Sequence, residues 1–469
     1  MKTQLLSSLL CISLLLSNTL LADENLEDDL GGFGSEELLE GFSDDLETQE
    51  EETVVVQSKK SNLSVSGDVA FKSSLAYHKH EVDGVEYSGI NQAQVAFSLQ
   101  LDYKISDDWK VRISGDTYYD GVYDLYKSNI YNREVLDTYQ TSLLLDDAYI
   151  QGRITKNIDL KIGHQVVVWG KSDSIRVTDV INPLDNRVPG LTDIEDLRLS
   201  VGMLKLDYYV GAWNFSAMVI PESKIMLESA PRGEFFPVDA VFPLGAPNPF
   251  IELVTPDSSI DNPQYAFAVN GVFSGWDLSF YGADVLDQKW HINPATLKRE
   301  VSRVKMLGSA LNIAKGSWLL KSEVAYLDGV KYNSTTDDKS RLDLLIGFDY
   351  MGIKDTVLSM EIANRHIFDY EKQMSELIGR PDYVDEDELQ TALRVTRSFE
   401  NDSINATALL SMFGQTWEYG GFARVWVEVE LMDALSSNFG VVDYIDGDKP
   451  FTKAIADNDR LFADITYSF

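Results

Sequence analysis

From residue 63 to the end of the chain, apolar and polar side chains alternate with a period of two. Ala93, Val95, Phe97, Leu99 and Leu101 interleave with Gln92, Gln94, Ser98, Gln100 and Asp102. Leu320, Val324 and Tyr326 alternate with Lys321 and Glu323, and Leu344, Ile346, Phe348 and Tyr350 with Asp343 and Asp349. Val425, Val427, Val429 and Leu431 alternate with Arg424, Trp426, Glu428 and Glu430. Successive side chains of a strand point to opposite faces, so this period predicts strands with one apolar and one polar face. The connections alternate too. Short polar or Gly-containing turns at 106–108, 155–157, 211–212, 274–275, 315–316, 352–354 and 401–402 alternate with long segments at 78–90, 120–139, 169–199, 221–262, 287–302, 329–340 and 366–389. Short turns at one rim, long loops at the other and strands of about 9–13 residues are the layout of tilted strands crossing a bilayer. Tyr103, Trp109, Tyr118, Tyr119, Tyr149, Trp276, Trp290 and Trp318 sit near strand ends, where an interfacial aromatic girdle would place them. The expected fold is all-β: a transmembrane antiparallel β-barrel of 16–18 strands over residues 61–469, with loops folded into the lumen. Nine up–down pairs make 18; the pair at 421–431 and 437–446 has the weakest pattern, and without it the count is 16. Lipid cannot satisfy strand edges, so the sheet must close on itself. A barrel this wide holds an aqueous channel unless loops enter it.

The chain ends add to this picture. Residues 1–22 read as a secretory signal, with Lys2 as its basic start, a Leu-rich run from Leu5 to Leu16, and Ala22 as a small residue before the cut. Cys11, the one cysteine, lies inside it behind Leu10, which is not the small residue a lipidation site needs. The mature chain then has no disulfide to rely on. No later stretch approaches ~18 consecutive apolar residues, which excludes a helical membrane protein. Residues 23–57 carry 14 acidic side chains and no Lys or Arg. Residues 23–60 are expected to form a disordered acidic periplasmic tail, either simply solvated or docking a periplasmic or permease partner through its Leu/Phe clusters. With 75 acidic against 40 basic residues and a net charge of −35, nucleic acid is excluded as a partner. At the other end Leu461, Ala463, Ile465, Tyr467 and Phe469 share one face, with Asp464, Thr466 and Ser468 on the other. Tyr467 followed two residues later by a terminal Phe469 resembles the signal by which the barrel-assembly machinery recognises outer-membrane barrels. That resemblance implies the cell outer membrane of a Gram-negative bacterium, in contact with its lipid and lipopolysaccharide.

Two loops carry the candidate chemistry. Residues 221–263 hold eight of the 13 prolines, with Phe235, Phe236, Phe242 and Phe250 among them. An apolar, Pro-stiffened loop is a poor water-facing surface, so it is expected in the lumen, as a packed lid or as a contact site for a lipophilic solute. Residues 163–185 run from a β-branched strand through Trp169 into Lys171, Asp173, Arg176, Asp179 and Asp185. Charges this dense suggest an ion-pair network pulling the loop inward; alternatively Lys171 and Arg176 grip an anionic head group. Trp169, Lys171, Asp173, Arg176, Asp179, Phe235, Phe236, Phe242 and Phe250 are therefore the candidate solute contacts. Enzymatic activity is not expected, because His78, His80, His164, His291 and His366 are scattered and no serine is singled out by spacing. No cofactor or metal site is expected. His78 and His80 lack a third ligand, and Asp443, Asp446 and Asp448 lack the bidentate Glu of a calcium loop.

The run Trp169-Gly170-Lys171-Ser172-Asp173, then Ile175-Arg176-Val177-Thr178-Asp179-Val180-Ile181-Asn182-Pro183, resembles the signature of a large family of Gram-negative outer-membrane barrels of unknown function. Arg198, Met203-Leu204-Lys205 and the terminal Tyr-Ser-Phe are similar as well, and the resemblance covers roughly residues 60–469. Members of that family tend to accompany resistance–nodulation–division type permeases that handle lipids or other hydrophobic compounds. The resemblance implies an outer-membrane channel passing lipophilic or amphipathic small molecules, partnered with such a permease. The residues themselves keep two other expectations open: a general or cation-preferring porin, given the acidic balance, and a non-conducting structural or assembly scaffold. An accessible apolar pocket favours the first, an open polar lumen the second, and a lumen filled by ion pairs the third.

Overall fold

The computed structural model describes residues 61–469 except 83, 126–129, 237–252, 294, 297 and 377–381. The expected signal and acidic tail lie outside the described residues, as do Phe242 and Phe250. Eighteen strands form the wall. They are β1 (Leu63–Ala76), β2 (Gly89–Lys104), β3 (Trp109–Asp120), β4 (Thr141–Thr155), β5 (Ile158–Gln165), β6 (Val201–Val210), β7 (Trp213–Ile220), β8 (Gln264–Phe273) and β9 (Trp276–Ile292), then β10 (Arg299–Lys315), β11 (Trp318–Val330), β12 (Lys339–Ile353), β13 (Thr356–Ile367), β14 (Asp387–Phe399), β15 (Ile404–Phe413), β16 (Gly421–Met432), β17 (Leu435–Ile445) and β18 (Arg460–Ser468). Each pairs antiparallel with the next, and β18 returns to β1, from Asp68↔Ser468 to Ala76↔Arg460. The weakly patterned pair is real: Gly421 to Met432 runs in register against Ile445 to Leu435. The barrel therefore has the larger of the two expected strand numbers.

Alternation now has a direction. In β1, Leu63, Val65, Val69, Phe71 and Leu75 face outward and are exposed. Asp68, Lys72 and Ser74 belong to the opposite, lumenal face. An apolar belt all the way round is untenable in water and required in hydrocarbon. The tight turns gather at one rim and the long connections at the other; short α-helices lie in two of these, Val122–Leu125 and Arg133–Tyr139 between β3 and β4, and Pro450–Ile455 between β17 and β18.

The wall is not equally tall. β5 and β7 have 8 residues each and β6 and β8 have 10, against 14 for β1, 16 for β2 and 17 for β9 and β10. The two connections that leave this low side, 166–200 and 221–263, are the ones with the candidate chemistry. The first folds into the barrel. Its Val167, Trp169, Ile175, Val177 and Ile181 pack with Ala268, Met306, Ala310, Ala325, Leu345 and Ala363 of the inner wall. Alanines at those wall positions leave room for the loop.

The closing seam rests on the chain terminus. Phe469 N donates to Gly67 O at 2.9 Å and Gly67 N to Phe469 O at 3.1 Å. The Phe469 ring stacks on Phe97 with centroids 6.3 Å apart, and Ser468 Oγ donates to Asp68 at 2.6 Å. Phe469→Ala keeps the backbone bonds and removes the ring, which is half exposed, so the expected loss is about 2 kcal/mol, less than for a fully buried ring. A lower denaturation midpoint and a smaller compact, heat-modifiable fraction on electrophoresis would show it; an unchanged fraction would mean the seam does not need the ring.

Candidate functional site

The inward loop solves a backbone problem before a functional one. Having left the sheet at Gln165, its N–H groups have no ladder partners and need acceptors. The inner wall supplies them as carboxylates. Glu323 Oε1 accepts from Lys171 N at 2.6 Å and Ser172 N at 2.8 Å, and Oε2 from Thr178 N at 3.1 Å and Thr178 Oγ1 at 2.7 Å. Glu361 accepts from the N–H groups of Asp173, Ser174 and Ile175 at 2.8, 3.0 and 3.1 Å. Gly170, at φ +93°, lets the chain turn over Glu323, where a Cβ would lie 2.8 Å from Oε1. Both carboxylates are buried, and burial is tolerable because they are so fully hydrogen-bonded. Lys321, two residues from Glu323 on the same strand face, pairs with Asp173 and with Asp349 at 2.8 Å and lies 3.9 Å from Glu361.

The candidate residues of this loop come together as one network. Trp169 stacks on Tyr281 at 4.7 Å, and Tyr281 OH accepts from Gly170 N at 3.2 Å. Lys171 Nζ meets Asp277 at 2.5 Å. Asp179 pairs with Arg176 at 3.2 Å and Arg198 at 2.9 Å, and Arg176 Nη2 donates to the carbonyls of Asp179 at 2.6 Å and Asn182 at 2.8 Å. Burial pushes the Arg176 guanidinium down, and the Asp179 charge holds it up. Asn182 Oδ1 accepts from Val167 N at 2.8 Å and its Nδ2 donates to Leu199 O at 2.7 Å, which closes the loop's neck. Further along, Asp193 bridges Arg394 at 2.9 Å and Arg424, which lies over the Trp426 ring. The wall partners Lys321, Glu323, Glu361 and Tyr281 were not singled out from the sequence. In the alternating pattern they are ordinary lumenal positions.

Phe235 and Phe236 belong to a different place. Phe235 packs on Tyr444 with centroids 5.7 Å apart and under Arg460, whose guanidinium lies 4.7 Å from its ring centre. Arg460 also binds Glu234 at 2.6 Å. Beside them, at the loop rim, a cleft of about 90 Å3 is lined by Tyr87, Tyr123, Tyr131, Tyr139, Val122, Val135 and Leu191, with Glu86, Ser88, Asn91, Gln92, Gln94, Asp120, Glu234 and the Arg460 guanidinium as its polar groups. Deeper in the barrel, Ser66, Asp68, Ser98, Gln100, Ser114, Asp146, Asp147 and Ser468 surround open space of about 430 Å3. The lumen is thus lopsided. The loop packs dry against the wall from β6 to β14, while the side formed by β18 and β1 to β4 stays open, polar and acidic.

Two outcomes test this geometry. Glu323→Ala strips four donors of their acceptor, and charged hydrogen bonds of this kind are worth roughly 1.5–3 kcal/mol each, so a loss on the order of 3 kcal/mol or more is expected. It should appear as protease cleavage within 166–200 of the folded barrel, whereas wild type resists. The second concerns Asp459 in the 446–459 connection, which accepts from Tyr444 N at 2.6 Å and faces His78 at 3.3 Å. Burial first, then the neighbouring Asp443 charge, pushes its pKa up to about 7. The folded state therefore holds a proton that the unfolded chain releases near its ordinary value of 3.8. This contribution is full at acid pH and is lost as pH rises through about 7. Asp459→Asn should raise the denaturation midpoint at pH 8 and leave it nearly unchanged at pH 4; equal effects at both would refute the assignment.

No curated protein sequence matches the chain. Solved barrels do. OccAB3 of Acinetobacter baumannii superposes with a TM-score of 0.51 at 8% identity, covering 87% of this chain and 99% of that one. OccAB1 of the same organism gives 0.51 at 10% identity, covering 88% and 97%. At such identity the likeness is one of fold. A family model described as protein of unknown function (DUF1302) matches residues 7–469, so the chain belongs to that family.

Proposed function

We propose that the protein is a passive outer-membrane channel for small amphipathic solutes, with a preference for cationic head groups. One observation carries this reading: the aromatic cleft and the open lumen are joined by a single strand face. On β2, Gln92 and Gln94 line the cleft, and Ser98 and Gln100 line the deeper space. Positions two apart on one face are about 6.8 Å apart, so these side chains, with the small Ala96 between Gln94 and Ser98, form one row down the wall. The tyrosines at its head suit an apolar moiety, and Asp68, Asp146 and Asp147 below suit a positive charge. The inward loop supports the reading by narrowing the opposite side.

A purely lipophilic solute fits less well. Among the described residues the apolar inner wall is covered by Val167 to Ile181, and the open path is polar. Docking of a periplasmic permease by residues 23–57 remains part of the proposal, as does transport without catalysis. Single-channel recording in planar bilayers tests it. Steady conductance with cation preference is expected, and Asp68→Asn with Asp147→Asn should lower the cation-to-anion permeability ratio by roughly twofold or more. Silence at matched insertion would favour the sealed scaffold instead, and anion preference would overturn the assignment of the acidic wall.

A further inference from the structure

The wall itself is interrupted at one place. β4 pairs with β3 from Thr141 to Gly152, but with β5 only from Ala148 to Thr155. Among the described residues, positions 141–147 thus have a sheet neighbour on one side only. Leu143, pointing outward there, is 83% exposed, above Leu307 at 70% on the fully paired β10 and above Leu145 at 43% beside the same break. Crossing a bilayer takes about 9–11 tilted residues. Eight residues of β4, from Thr155 up to Ala148, lie below the break, so its first positions, Asp147, Asp146 and Leu145, fall within the crossing.

What meets this edge is sparse. Ser200 Oγ donates to Leu145 O at 2.8 Å, and higher up Arg187 reaches Thr138 O at 3.0 Å and Ser142 Oγ at 3.4 Å. Just below the Ser200 contact the chain bulges at Asp146, opposite Ser114 and Gly115, and Asp146 and Asp147 line the open lumen. An aqueous space therefore reaches the wall at the point where its ladder stops. Unpaired backbone and an exposed carboxylate are costly at hydrocarbon depth unless water reaches them. A hydrated opening at the break meets both demands.

We propose that the break between β4 and β5 is a lateral port through which a cationic amphiphile passes between the lumen and the outer leaflet. The proposal rests on the channel reading and adds a second exit to it. Asp146 and Asp147 receive the ammonium group, while Leu143, Leu145 and the 55% exposed Val168 face the hydrocarbon tail. The far lip carries Lys224, whose Nζ is held by Ser200 O at 2.8 Å. Around the port Asp116, Asp146, Asp147 and Glu222 stand against Lys224 and Arg112, and Arg112 is itself paired with Asp102 at 2.8 Å, so negative charge predominates and favours a cation over an anion.

Photolabelling of the full-length barrel in liposomes tests this, with a dodecylammonium probe bearing a diazirine at its tail. Saturable adducts at 143–145 and 168 are expected, suppressed at least fivefold by unlabelled dodecylammonium and little by dodecanoate. Asp146→Asn with Asp147→Asn should weaken saturation severalfold, with the folded state checked by its heat-modifiable mobility. Labelling of Leu143 that is non-saturable and no greater than at Leu204 would overturn the port, as would adducts confined to the cleft around Phe235. Conductance recorded on the same preparation separates the two ideas. Steady current without saturable wall labelling removes the port and keeps the channel, and absence of current removes the channel reading on which it rests.

Discussion

A peptide group in hydrocarbon has no solvent to bond with, and most of this structure follows from that constraint. It forces the sheet to close, and closure places the last residue, Phe469, against Gly67 of the first strand. It leaves no stabilising role for disulfides in the barrel, since residues 61–469 contain no cysteine. The closed network of antiparallel ladders supplies the stability. The same constraint follows the chain inside. Where residues 166–200 leave the ladder, their N–H groups are taken up by two buried glutamates that would otherwise be difficult to keep in a protein interior.

The low side of the wall ties these features together. Four short strands, β5 to β8, hand the chain to two long connections, and the first of these fills the lumen beside them. The fill is one-sided because the receiving wall is built for it, with alanines at 268, 310, 325 and 363 and carboxylates at 323 and 361. The opposite wall carries serines, glutamines and aspartates below the Phe235 contacts, and the space beside them stays open. Where the tall strand β4 meets the short strand β5, the heights do not match, and the ladder ends early.

Charge is used in two ways on the two sides. Lys171, Arg176, Asp179, Lys321 and Arg198 are engaged with partners and hold the loop in place. Their arrangement is that of a fastening. The acids at 68, 146 and 147 border open space, Asp68 while accepting from Ser98 at 2.9 Å and Ser468 at 2.6 Å. A net charge of −35 does not distinguish these uses, because the same side chain can stabilise a loop or attract a cation depending on what lies across from it.

Much of the fold was legible from the sequence because its signals are local. A strand's period, the length of a turn and an aromatic terminus need no knowledge of distant residues. Even the faint pair β16 and β17 was within reach. Its pattern is blurred by Trp426, which stands at a lumenal position because Arg424 lies over its ring. The inward pull of the loop around Trp169 was also readable from its density of charges. Its anchors were not, because Lys171 and Glu323 are 152 positions apart and a glutamate on a polar strand face looks the same whether it meets water, an ion or a backbone N–H. The sequence by itself determined that strands must form, alternate and close. Which wall the loop leans on, which side stays open and where the ladder breaks were decided only in three dimensions, since each depends on two strand heights or two side chains brought together by the barrel's curvature.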